Sequence, residues 1–399
     1  MADWSTYQGN AKHNGYVDTS VAGSAISFLW SHDFGAQLNP PAIANGQIFT
    51  SQQARFRSGH PLVAMDVHTG AEIWNHPDFG SVNSINPPAY ANGKVYIQTG
   101  KGTTSNAPYL YAFDATDGSL VYRSTFSAQW ESYYAPTIYD GDVYINGGYY
   151  GGSYRFDGNN GNQRWFHDLP QYDDWTPAVD QDYVYAYVGE YSPGLYVLNR
   201  QTGARLFSIP DPNFDWSGWS MNLAPVITDD GDVIAIHDGR LISFDVDGRR
   251  IGWESQRSYK GQPVIVGDVI YAIDAGTLTA VDASDGTFLK AWDPPAGVSV
   301  SGNMIATNSH LFVQSPTTTY MLDIGTFDIA WSYEASGSIA LGDDHFAIAD
   351  GTVLHTFTTV PEPTSLVVLG CTGLLVAGRA WRPPHTESVT LGTPGGATD

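Results

Sequence analysis

Leu62–Trp74 reads LVAMDVHTGAEIW: an apolar run ending in Asp66, then Gly70, then Trp74. This describes two short strands joined by a tight turn. Glycine supplies a positive φ there, and the aspartate side chain accepts backbone N–H groups. The pattern returns as LYAFDATDGSLVY (Asp114, Gly118, Tyr122), YRFDGNNGNQRW (Asp157, Gly161, Trp165) and LYVLNRQTGARLF (Asn199, Gly203, Phe207). It continues as LISFDVDGRRIGW (Asp245, Gly248, Trp253), LTAVDASDGTFL (Asp282, Gly286) and YMLDIGTFDIAW, which keeps Asp323 and Trp331 but has Phe327 where glycine belongs. Successive anchors lie 37 to 48 residues apart.

A second hairpin signature precedes each copy. It appears as PAIANGQIF (from Pro41), PAYANGKVY (Pro88), PTIYDGDVY (Pro136), PAVDQDYVY (Pro177), PVITDDGDVI (Pro225) and PVIVGDVIY (Pro263), with weaker copies at Met304 and Ser338. Two hairpins make a four-stranded unit, here given strands A to D. A period near 43 with four strands is the mark of a propeller blade. The count is eight of one hairpin against seven of the other. The last unit, Ser338–Phe357, lacks a fourth strand, while ISFLWSHDF near the N-terminus is an unmatched strand with Trp30 where a fourth-strand Trp belongs. Pairing the two closes a ring and removes an exposed edge. The expectation is all-β: one eight-bladed propeller of four-stranded antiparallel blades over residues 1–359, closed by the N-terminal strand.

Composition agrees. The chain has 399 residues, 53 of them aromatic, and a net charge of -23. That charge argues against nucleic acid or an anionic membrane surface as partner of the body. A single cysteine, Cys371, excludes an intrachain disulfide and a cysteine-ligated metal cluster. The opening, MADWSTYQGNAKHNGY, has no basic and apolar signal-peptide regions. Near the other end, Leu366–Ala377 is a run of twelve uncharged residues followed by Arg379 and Arg382. It is short for the ~20 residues of a stable membrane span.

The recurring apolar-x-Asp-x-x-[Thr/Asp]-Gly-x-x-x-Trp unit resembles the PQQ-like β-propeller repeat family. DWSTYQGNAKHNG is similar to the segment that often precedes its first blade. The resemblance implies that Trp30, Trp74, Trp165 and Trp331 dock between blades, and that Asp66, Asp114, Asp157, Asn199, Asp282 and Asp323 form turns with Gly70, Gly118, Gly161, Gly203 and Gly286. Quinoprotein dehydrogenases of this kind carry a vicinal cysteine pair above the quinone and hold Ca²⁺ beside it. This chain has no such pair, so neither PQQ nor calcium is expected. Val360–Arg382 resembles a PEP-CTERM sorting signal: Pro361, Glu362 and Pro363, a short apolar helix, then Arg379 and Arg382. The resemblance implies export, processing by an exosortase-type enzyme, and attachment to the envelope or cell surface, with 383–399 a disordered tail. An ordinary tail anchor or an apolar linker is the alternative.

No His-rich, P-loop or nucleophile motif occurs, so no catalytic residue and no metal site is expected. The B–C and D–A connections are long, and residues 101–220 hold 27 of the aromatics. Trp130, Glu131, Tyr133, Tyr134, Tyr149, Tyr150, Tyr172, Trp175, Tyr191, Trp216 and Trp219 are the candidate ligand contacts there. Rings among carboxylates suit a sugar or a protein hot spot, or else they fill the disc as packing. The expected function is a non-enzymatic binding or scaffold module for glycan or protein. The alternative is an enzyme, either a quinone-dependent oxidoreductase or a polysaccharide-acting propeller.

Overall fold

The computed structural model describes residues 3–53, 61–77, 79, 84–101, 108–129, 132–170, 175–189, 191–215 and 223–359. Every regular sheet in it is an antiparallel meander, and two short 3-10 turns are the helical elements among these residues. The strands form eight blades in chain order. Blade 1 is Ala42–Ala44, Gln47–Ser51, Leu62–Asp66 and Glu72–His76, and blades 2, 3, 4 and 7 repeat this layout. Innermost strands of adjacent blades touch, and that of blade 8 (Ser338–Gly342) meets that of blade 1.

Blade 8 closes the ring as the unmatched strand implies. Ser27–Asp33 pairs antiparallel with Val353–Thr358, setting Trp30 opposite Thr356. One feature departs from the repeat. Arg250–Val266 is a single strand that serves as strand D of blade 5 and strand A of blade 6, so these two blades form one seven-stranded sheet.

The blades are fastened to each other by the repeat motif itself. The indole N–H of Trp30 donates to Val67 O, Trp74 to Ala115 O, Trp165 to Arg200 O and Trp253 to Ala283 O, all at 2.8–3.0 Å. Each acceptor belongs to the next blade. The ring then lies flat on that blade's turn glycine: a Cβ at Gly70 or Gly118 would sit 2.7 Å from the indole, and both have φ near +70°. The motif therefore needs glycine for two reasons at once, backbone sign and ring clearance. Trp331 meets blade 8 differently, edge-on to Phe346 and Phe357.

The fifth copy corrects the reading of Gly248. Four residues after Asp245 stands Arg249, at φ +52°, and its guanidinium lies 4.5 Å over the Phe207 ring. In the seventh copy Phe327, at φ +65°, takes the ammonium of Lys290 at 3.9 Å from its centroid. At these two junctions a cation on an aromatic face replaces the indole-on-glycine contact. In the Asp66 turn the Thr69 hydroxyl and N–H hold the carboxyl below its ordinary range.

Candidate functional site

A four-stranded meander puts A–B and C–D turns on one face of the disc and B–C and D–A connections on the other. On that second face the ring is lopsided. Blades 1–4 are joined by the long connections 52–61, 77–88, 99–108, 126–136, 169–177 and 211–225. Blade 5 has a B–C turn at 238, blade 6 at 275–276 and blade 8 at 351–352, and none separates blades 5 and 6. The longest connections gather on blades 1–4, although 292–300 between blades 6 and 7 is as long as 169–177.

The candidate contacts separate into three groups. Tyr149 and Tyr150, on the B–C connection of blade 3, and Tyr191, on that of blade 4, are 62%, 56% and 84% exposed. Tyr149 and Tyr150 meet edge to face, and Lys101 of blade 2 approaches the Tyr149 ring. Tyr133 and Trp175 are instead buried in the core, because their connections fold inward over the sheets. Tyr134 is half-buried and stacks on Tyr7 at 4.2 Å. For these three the disc-filling role describes their place. Trp130, Glu131, Tyr172, Trp216 and Trp219 lie outside the described residues, as do Pro361, Glu362, Pro363, Arg379 and Arg382.

The base of the 211–225 connection is pinned through Arg240 and Tyr187, which the sequence reading passed over. Asp211 is buried and accepts both Arg240 guanidinium N–H groups (3.1 and 2.7 Å) and the Tyr187 hydroxyl (2.6 Å). Burial alone would raise its carboxyl, but these bonds hold it below the ordinary value. Phe214 stacks on His237 at 4.1 Å, and His237 Nε2 bonds Asp215 O. A buried Arg240 inside an apolar hairpin was the available signal, since a lone buried cation requires a partner.

The axis of the ring is filled by the chain's own N-terminal segment. Residues 3–17 run around the tight-turn end of the inner strands. Trp4 exchanges two main-chain bonds with Ile43; Ser5 O accepts from Tyr90, Ala11 O from Val179, Lys12 O from Ile227, Asn14 O from Ile265 and Gly15 O from Ala306. Tyr7 donates to Gln262, and His13 bonds Pro225 O and Thr137 Oγ1. A small cavity of about 30 Å³ among the described residues lies inside the ring between Trp4, Tyr7, Gln8 and the inner prolines. Among the described residues no group of three or more His, Cys, Asp or Glu is placed to hold a metal. No described helix is long and apolar enough to cross a membrane.

Residues 62–293, more than half of the chain, match the repeat family described as outer membrane protein assembly factor BamB. The chain belongs to this PQQ-like repeat family. Among solved structures it resembles BamB from Moraxella catarrhalis, at 16% identity and a TM-score of 0.59, over 84% of this chain and 97% of that one. It also resembles a europium-containing methanol dehydrogenase, at 12% identity and a TM-score of 0.65, over 90% and 98%. A third is the computationally designed Ika8 protein, at 11% identity and a TM-score of 0.62, over 84% and 98%. No curated protein sequence matches the chain. An assembly factor, a dehydrogenase and a design share one ring, so the ring alone does not choose a function.

Proposed function

We propose that this chain is a non-enzymatic binding or scaffold propeller of the cell envelope, which contacts glycan or protein through the long connections of blades 1–4 on its loop face. The observation that carries this reading is the filled axis. Pockets for small molecules and cofactors run to about 300–1,000 Å³. The cavity among the described residues at the axis offers about 30 Å³, closed by Tyr7, Gln8 and Trp4. Nothing in it fits a tricyclic quinone or the acidic and amide ligands of a calcium ion, and no reaction step is assigned to such a group. A polysaccharide-cleaving reading needs a free pair of carboxylates. Asp211, a buried carboxylate among the described residues of the loop face, is committed to Arg240 and Tyr187. The envelope assignment rests on the family description and on the sorting-signal resemblance at 360–382, which implies an exosortase-like processing partner.

Two measurements test this. Adding PQQ with Ca²⁺ is expected to give no new visible absorbance band and no change in melting temperature, since binding of either to the native state alone would stabilise it. A band together with a rise of several degrees would overturn the non-enzymatic reading. For the binding face, replacing Tyr149, Tyr150 and Tyr191 together by Ala should move the melting temperature by a degree or two at most, because exposed rings add little to a core. The same variant should lose most of its binding on an array of envelope polysaccharides and in titration with purified envelope proteins. Unaltered binding to a ligand of the native chain would place the contact face elsewhere.

A further inference from the structure

The N-terminal segment leaves two inner strands without a main-chain bond: that of blade 8, whose Gly342 packs against Trp4, and that of blade 3. Inner strands of blades 1, 2, 4, 5, 6 and 7 each receive a main-chain hydrogen bond from residues 4–17. Blade 3 receives side chains instead, the Thr6 hydroxyl on Pro136 O before the segment turns inward through Tyr7–Gly9, and His13 on Thr137 Oγ1 after it. The consequence falls on Ile138. In blade 1, Ile43 sits opposite Ile48, one step before the Asn45-Gly46 turn; in blade 3, Ile138 sits opposite Val143, one step before the Asp140-Gly141 turn. In that register the pair flanking the turn is hydrogen-bonded and the next pair is not, so its N–H and C=O point sideways out of the ladder. Ile43 uses both groups on Trp4, whereas Ile138 has no main-chain partner beyond its own sheet among the described residues.

The space beside Ile138 is a groove on the tight-turn face. A concavity of about 850 Å³ runs from Ser5 and Ile138 to Asp180 and Gln181 of blade 4. A second of about 500 Å³ shares Ser5, Ile138 and Asp140 and extends to Asn92 of blade 2. Together they cross the inner end of blade 3. Asp3, Asp140 and Asp180 line the groove; Asp180 accepts the Tyr185 hydroxyl, and the Asp140 side chain, 72% exposed, has Arg200 at 3.5 Å on one oxygen and an open side toward solvent. The one ammonium among the lining residues, Lys12, is paired with Asp229 at 3.0 Å. An open strand edge asks for an extended main chain, and the carboxylates ask for cationic side chains on it.

We propose that this groove binds an extended, lysine- or arginine-rich peptide segment of a partner protein, which pairs with Ile138 as Trp4 pairs with Ile43 and sets cationic groups against Asp140 and Asp3. This site lies on the face opposite Tyr149, Tyr150 and Tyr191 and stands apart from the loop-face reading. The Asp3 carboxyl is raised, first by burial and then by repulsion from Asp343, and a cation nearby would relieve it.

The test is calorimetric titration of the whole chain with acetyl-Lys-Val-Lys-Val-Lys-Val-amide, its Glu-for-Lys counterpart, and the Lys peptide N-methylated at alternate residues. The Lys peptide should bind saturably at one site, weakening as salt rises; the Glu peptide should not bind. N-methylation should weaken binding at least tenfold, because it removes the donors that face Ile138 O. Asp140→Lys should do the same, with its melting temperature read alongside because Arg200 loses its 3.5 Å partner, while Asp247→Lys on a remote turn should leave affinity intact. The Tyr149, Tyr150 and Tyr191 variant should also bind normally, which separates failure here from failure of the loop face. Non-saturable binding, equal binding of the N-methylated peptide, or equal effects of Asp140→Lys and Asp247→Lys would each overturn the proposal.

Discussion

A chain beginning at residue 36 is expected not to fold as a stable soluble monomer. Four supports go at once. The Val353–Thr358 strand loses Ser27–Asp33 and becomes an open edge. Trp30 leaves Val67 and Gly70, which unfastens blade 8 from blade 1. Six inner strands lose a main-chain bond, and the axis loses Trp4, Tyr7, Gln8 and His13, all of them buried. Burying one large apolar side chain contributes about 1.5–3 kcal/mol, and a domain's total stability is about 5–15 kcal/mol. Trp4, Tyr7, Val17, Val21 and Ile26 alone reach that range. Size exclusion should show aggregate, and any monomer should melt well below the full chain. Deleting only residues 1–19 separates the two roles, since it keeps the closing strand while emptying the axis. A 36–399 chain that melts within a few degrees of the whole would show that the ring is held by its blades alone.

The architecture was legible because a propeller writes its fold once per blade. The spacing from Asp66 to Trp74 holds strand, turn and inter-blade fastening together, and the surplus strand around Trp30 had one place to go. The position of Arg249 was misread for a local reason. The Asp-Gly dipeptide at 247–248 looks like the motif glycine but stands one residue early, and the motif position tolerates Arg249 because Phe207 offers it a ring face. The axial segment was not legible. Its bonds are mostly main-chain bonds to successive blades, so they demand no hydrophobic period, and its turns use Gln8 and His13 at positive φ as well as glycines. Loop aromatics were the other limit. Tyr133, Trp175 and Tyr191 all follow or precede a strand closely, and nothing in their neighbours tells a ring that folds inward from one that stays out.

His13 is expected to make stability fall with pH well above the range where carboxylates titrate. It is wholly buried, with Nδ1 3.1 Å from Pro225 O and Nε2 2.9 Å from Thr137 Oγ1. A carbonyl oxygen can only accept, so Nδ1 carries the proton, while Nε2 faces the Thr137 hydroxyl, which donates to Pro177 O at 2.8 Å. Burial pushes the imidazole down from 6.5 to about 3, against a smaller upward effect of the Pro225 bond. Above pH 6.5 the folded and unfolded chains are both neutral at this site, and its contribution is complete. Below it the unfolded chain takes up a proton that the folded chain refuses until about pH 3, so stability falls as pH drops through that window. The slope approaches about 1.4 kcal/mol per pH unit. His237, His167 and His355 are lowered too, first by burial, and add the same sign, so the comparison must be with a variant. His13→Gln can keep a donor to Pro225; it should cost about 1–3 kcal/mol at pH 7. Because glutamine does not titrate, that deficit should shrink steadily between pH 6.5 and 4.5 in denaturant titrations. Parallel lines for the two proteins would mean that His13 reaches solvent and that the axis of the ring is not closed.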